Sequence, residues 1–251
     1  MLRFACSLAA VACAVVAVVV GVTACGEKSK IGAPCDEIGP DEVEICEGTR
    51  RLRCDGNAYQ LLAACHHDCV EGAGTPHAAE VGADETWTCV GSPHLVQGNV
   101  IVAVGATLTI EPGSEVRLLP STHVTVSEGA RVVVDAPAGA EVLFTSDNAL
   151  AGGFGTSNTG GLDVFSTADA KPSILRGLIV ERGQNGITVS GLSSRTEEHP
   201  VIERCTFRDN SRFGILVNCE DADVDVPDYA AAGNQFFSNG SGEVSTCAAL
   251  E

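Results

Sequence analysis

The sequence predicts an all-β protein whose short strands stack in successive coils. Three observations carry this. Valine is the commonest of the large apolar residues while aromatics make up only 4% and glycines number 28 of 251 residues, a composition of strands and turns rather than helices. From Leu95 onward, short alternating apolar runs recur at quasi-regular spacing with turn residues between them. The stretch from Gly177 to Val189 also lines up without a gap on Cys205 to Val217, one coil later. None of these strands is long enough to make a stable sheet alone. Stacked coils remove the difficulty, because each buries its inward side chains against the next and pairs its backbone with its neighbours.

In chain order, residues 1–24 read as a signal peptide, with Arg3 at its positive end, an apolar run from Phe4 to Val22 and small residues before the cut. Val22-Thr23-Ala24-Cys25 resembles the lipobox of bacterial lipoproteins. The resemblance implies that Cys25 becomes the amino terminus and carries diacylglycerol and a further acyl chain, which hold a domain on a bilayer where one chain would not. It also implies the outer membrane of a Gram-negative cell, because Gly26 stands where an inner-membrane lipoprotein commonly has aspartate. The competing reading is an uncleaved transmembrane helix, for which the run is long enough. Against it stands the polar sequence Gly26-Glu27-Lys28-Ser29-Lys30, which begins directly after the cysteine. Residues 25–34 then form the lipidated tether.

The formal net charge is −18, and −19 once Arg3 leaves with the leader. Such a chain repels phosphate backbones, so nucleic acid is not an expected partner. Of twelve cysteines, Cys6 and Cys13 leave with the leader. Cys35, Cys46, Cys54, Cys65, Cys69 and Cys89 form an even set in an exported segment with little core of its own, which predicts a disulfide framework centred on residues 35–70. Fifteen pairings are open. Cys65-His66-His67-Asp68-Cys69 has metal-ligand chemistry, but an oxidising compartment removes the thiolates, so disulfides are the reading adopted. Arg51 to Cys65 reads as a hairpin turning at Asp55-Gly56-Asn57. The module resembles short cysteine-rich modules of myxobacterial envelope lipoproteins.

Residues 71–94 carry no periodic apolar pattern and read as a linker and amino-terminal cap. Residues 95–240 hold the coils. Candidate strands are Asn99–Val102, Thr107–Ile110, Glu115–Leu118, His123–Val126, Arg131–Val134 and Glu141–Phe144. Turns separate them at Glu111-Pro112-Gly113-Ser114, Ser127-Glu128-Gly129 and Ala136-Pro137-Ala138-Gly139. The repeating unit is a strand, a polar turn that usually carries Asn, then Gly-Ile-x-Val, echoed again at Gln235–Asn239. Asparagines at such bends bond the backbone or accept left-handed conformations. Leu95–Val100, Gly105–Gly113, Val142–Ser146, Gly160-Gly161-Leu162 and the aligned repeats resemble the pectin-lyase-like superfamily, in particular its noncatalytic envelope proteins. That implies a right-handed single-stranded parallel β-helix of about six coils. Thr159 departs from the family, which often has Trp there.

A β-helix needs caps at both ends. The cysteine-rich module is placed to shield the first coil, and Cys219 and Cys247 bracket a segment able to close the last, with residues 241–251 as the carboxyl-terminal cap. Cys205 is left as a free, inward thiol. The superfamily's Asn-Thr-Asp, Asp-Asp, Gly-His-Gly and Arg-Ile-Lys motifs are missing from the coils, and no serine or cysteine near His94, His123 or His199 sits in a nucleophile turn, so no catalytic residue is assigned. Arg182, Arg204, Arg208 and Arg212 are candidates for lining one face, but a solvated surface is the preferred reading of such a set. Asp221, Asp223 and Asp225 offer calcium-type oxygens, but Val226 and Ala232 occupy the glycine and glutamate positions of an EF-hand, so a solvated acidic loop is the preferred reading. No cofactor is expected. The functional expectation is an outer-envelope lipoprotein, anchored in the bilayer by acyl chains, that binds surface polysaccharide or an envelope protein or serves structurally. The rival class is a polysaccharide lyase or glycoside hydrolase.

Overall fold

The computed structural model describes residues 30–35, 44–47, 50–63, 74–146, 153–156, 160–167, 171–192, 198–219, 224–245 and 247. The leader, Cys25, Cys65, Cys69, Asp221 and Asp223 lie outside the described residues.

The small module is an antiparallel sheet of β1 (Glu44–Glu47), β2 (Arg50–Cys54) and β3 (Tyr59–Ala63). The hairpin turns where the sequence places it. Asp55 Oδ1 accepts from the N–H groups of Asn57 (2.9 Å) and Ala58 (3.0 Å), and these bonds hold its carboxyl below the usual range. The core is slight, comprising Cys35, Leu52 and Tyr59, and Cys35–Cys54 crosslinks it. Cys46 and Cys89 are also disulfide-bonded.

From Thr75 the chain passes through three parallel sheets in fixed rotation. The first circuit is β4 (Thr75–His77), β5 (Glu80–Val81) and β6 (Glu85–Trp87). The second is β7 (His94–Val96), β8 (Val100–Val102) and β9 (Thr107–Ile110). The third is β10 (Glu115–Leu118), β11 (Val124–Val126) and β12 (Arg131–Asp135). The fourth is β13 (Val142–Ser146), β14 (Gly160–Phe165) and β15 (Ile174–Arg176), and the fifth is β16 (Leu178–Glu181), β17 (Asn185–Leu192) and β18 (Val201–Glu203). Strands β19 (Thr206–Arg208), β20 (Phe213–Cys219), β21 (Gln235–Phe237) and β22 (Gly242–Val244) extend the first two sheets. Sheet I contains β4, β7, β10, β13, β16, β19 and β21, sheet II contains β5, β8, β11, β14, β17, β20 and β22, and sheet III contains the remaining strands from β6 to β18. This arrangement is compatible with a parallel β-helix.

The six candidate strands of the sequence are all present as β8 to β13, with bounds moved by at most two residues. Alternation sends one face inward, giving stacked columns: Val116, Phe144, Val180 and Phe207 in sheet I, and Val100, Val124, Leu162, Ile187 and Ile215 in sheet II. All of these are at most 1% exposed. Four turns repeat one device, closing Ala103 to Ala106, Glu111 to Ser114, Ser127 to Ala130 and Pro137 to Ala140. In each, the third residue is a glycine at positive φ, as a type II turn requires.

Two sequence expectations change. Residues 71–94, read as linker and cap, contribute the first circuit from Thr75 to Trp87. Its strands are short and polar because, among the described residues, an end layer pairs with a neighbour on one side only, so they lack the apolar signal of inner coils. The ungapped repeat alignment also fails in sheet I. Val180 pairs with Phe207, 27 residues on, whereas Ile187 pairs with Ile215, 28 on. The alignment would place Ile179 against Phe207, and a slip of one residue turns a strand's inward face outward. An extra residue in the corner before β20 absorbs the difference.

At the far end Cys219–Cys247 ties β20 to the residue chain after β22. Cys205 is free and buried, and desolvation pushes its thiol up to about 11, so it is inert. Phe154 lies across Gly161 and Gly183. A Cβ on Gly161 would come within 2.8 Å of ring carbon Cδ2, so this glycine makes room for the ring.

Candidate binding face

With Phe144, Val180 and Phe207 facing inward, the next residue of each strand faces out. Sheet I therefore displays Leu95, Arg117, Thr145, Glu181, Arg208 and Phe237, one per circuit, at the roughly 4.8 Å spacing of paired strands. Glu181 is the hub. It accepts from Thr145 Oγ1 at 2.9 Å and from Arg208 Nε at 2.7 Å and Nη2 at 2.6 Å, with Arg182 Nη1 at 3.4 Å. Its side chain is only 6% exposed although it points outward, because the guanidiniums cover it while staying about 40% exposed themselves. Glu115 and Arg117 repeat the motif two circuits earlier, with Nε–Oε1 at 2.7 Å. On a strongly acidic chain, three arginines and two carboxylates thus leave a locally cationic strip of fixed donors and acceptors. Phe237, 53% exposed, ends it.

Not all four candidate arginines join this strip. Arg182 and Arg208 converge on Glu181, but Arg204 turns to sheet III and meets Asp135 at 3.7 Å, beside the Arg176–Glu203 pair at 2.8 Å. Arg212 sits at the corner before β20. Arg182, Asp209 and Ser238 each follow a sheet I strand and each have φ between 52° and 64°. This column of left-handed residues makes the corner, and at Arg182 it also aims the side chain back at Glu181.

The acidic loop gives no cation site in the described residues. Asp225 is exposed, and Asp228 Oδ1 accepts from Ala231 N–H at 3.0 Å as a turn former. Among the described residues no group of three or more His, Cys, Asp or Glu is arranged to hold a metal.

The sequence reading missed a buried polar group on the outer face of sheet II. Asp163, 7% exposed, accepts from Ser190 Oγ at 2.8 Å, and the N–H of Ser166 donates to the Ser190 carbonyl at 2.9 Å. Ser166 Oγ lies 3.2 Å from His199 Nδ1. Desolvation raises the Asp163 carboxyl to about 6, with the Ser190 bond opposing. Because this folded value lies above the unfolded one, the stability it contributes is present below about pH 4 and is lost as pH rises through about 6. The loss is up to about 3 kcal/mol. Asp163→Asn keeps the acceptor for Ser190 and is expected to remove this loss. Urea midpoints at pH 4 to 7 should show the variant gaining on the parent as pH rises, and parallel curves would refute the assignment. His77, His94 and His123 have the opposite sign and cancel in the difference.

The chain matches no protein-family model, no curated protein and no solved structure.

Proposed function

We propose that this chain is an outer-envelope lipoprotein whose coils form a short right-handed, single-stranded parallel β-helix of the pectin-lyase-like type, serving as a binding element for a surface glycan or envelope protein. Three parallel sheets visited in rotation support the β-helix, and right-handed crossovers are the rule for parallel strands. The observation that carries the binding reading is the strip around Glu181. Its ion pairs fix guanidinium donors in place beforehand, which lowers the ordering cost when a ligand rich in hydroxyls or carboxylates docks. The lipobox-like Val22-Thr23-Ala24-Cys25 supports anchorage.

A glycan-binding screen of the full-length protein in mild detergent, run beside lyase and reducing-sugar assays, tests the reading. Binding is expected to fall at least tenfold in Arg117→Ala/Arg208→Ala, with the circular dichroism spectrum unchanged. Turnover that survives purification would replace binding with catalysis. The mass of the amino-terminal peptide is expected to show acylated Cys25, and an intact leader would remove the anchor from the proposal.

A further inference from the structure

The end layer of the stack contains a hydrogen-bond chain whose direction is fixed by chemistry. His94 Nε2 lies 2.9 Å from the Thr88 carbonyl, which only accepts, so Nε2 carries the proton and Nδ1 is a lone pair in the neutral ring. His77 Nε2 lies 2.9 Å from that lone pair and must donate to it. The neutral His77 ring is left with an unprotonated Nδ1. That atom faces Glu85 Oε1 at 3.8 Å, too far for a hydrogen bond and acceptor against acceptor.

Several features hold these two acceptors in place. Trp87 stacks on His77 with centroids 4.2 Å apart, and its indole N–H donates to Glu85 Oε1 at 2.8 Å. Burial favours the neutral form of both imidazoles. His77 and Glu85 line one cavity of about 180 Å³, which Glu80 also walls.

We infer that His77 Nδ1 and Glu85 form a two-residue binding site for a divalent transition-metal ion of the zinc class, with solvent completing the coordination. Bonds of about 2.0 Å at a tetrahedral angle place two ligand atoms about 3.3 Å apart, so a movement of roughly half an ångström closes the site. An imidazole with a carboxylate suits zinc or copper rather than calcium. The His77–His94–Thr88 relay is the outer-shell support that metal-binding histidines have, in which the second ring nitrogen donates to an acceptor and fixes the tautomer.

The test is titration of full-length protein in mild detergent with zinc chloride alone, followed by calorimetry and by imidazole nitrogen NMR. One site is expected whose affinity falls at least about tenfold in both His77→Gln and Glu85→Gln and persists in His66→Gln/His67→Gln. In the unmutated protein the His77 Nδ1 resonance should move on adding zinc while His94 keeps its Nε2–H tautomer, a readout independent of whether the variants fold. His77 resonances unmoved at saturating zinc, or zinc binding indifferent to both substitutions, would overturn the proposal and leave protonated His77 paired with Glu85 as the arrangement.

Discussion

Val180→Lys is expected to abolish cooperative folding or cost more than about 4 kcal/mol, whereas Ile179→Lys next to it should cost within about 1 kcal/mol. Val180 is fully buried between Phe144 and Phe207 of the circuits on either side, which offer no acid to receive an ammonium. An unpaired charge there must neutralise or drag water in, and a net stability of roughly 5–15 kcal/mol leaves little reserve. Ile179 faces solvent beside Leu143 and Thr206, where a lysine stem lies along the sheet with its head in water. Urea denaturation followed by circular dichroism measures both. Equal costs for the two variants would mean that the 27-residue register of sheet I is wrong.

That register marks where the sequence stops being legible. The inner coils could be read because they alternate faithfully, and Thr107–Ile110 or Arg131–Val134 has no other way to bury half its residues. Circuit length was harder. Partners in the inward column of sheet I lie 22, 28, 36, 27 and 29 residues apart from His94 to Phe236, because insertions go into corners without disturbing strand pairing. A fixed period of about two dozen therefore finds the coils and misplaces individual pairs.

The functional residues were less visible still. Arg182 and Arg208 stand out in the sequence only as arginines, and nothing local marks Glu181 as their shared partner, since Arg208 is 27 residues from it and Thr145 is 36 away. His77 stands in a stretch without periodicity, and its relation to His94 exists only because two successive sheet I strands stack. Asp163 lies in an ordinary strand, and its partner Ser190 belongs to the next circuit, 27 residues on.

The asparagine column at the sheet I corner supplies the second large effect. Asn210, 1% exposed, accepts from the Gly183 N–H at 2.9 Å, and its amide donates to Asn239 Oδ1 at 2.9 Å and to the Val180 carbonyl at 3.3 Å. Asn239 in turn donates to the Phe207 carbonyl at 3.0 Å. Three circuits are thus joined by one side-chain ladder beside the corner where left-handed residues at 182, 209 and 238 turn the chain. Asn210→Leu conserves volume but strands a buried N–H and a carbonyl, at about 1–3 kcal/mol for each unsatisfied group, so a total near 3–4 kcal/mol is expected. Asn239→Leu should cost about 1–3 kcal/mol, because the buried Asn210 amide and backbone N–H both donate to Asn239 Oδ1, whereas water can reach the half-buried Asn239 side of the ladder. If the ladder acts as a unit, the double variant should cost less than the sum of the singles by at least about 0.5 kcal/mol, since Asn239 loses its partner once Asn210 is gone. Strict additivity in the urea midpoints would mean that each amide is satisfied within its own coil, and that the corners hold through their left-handed residues alone.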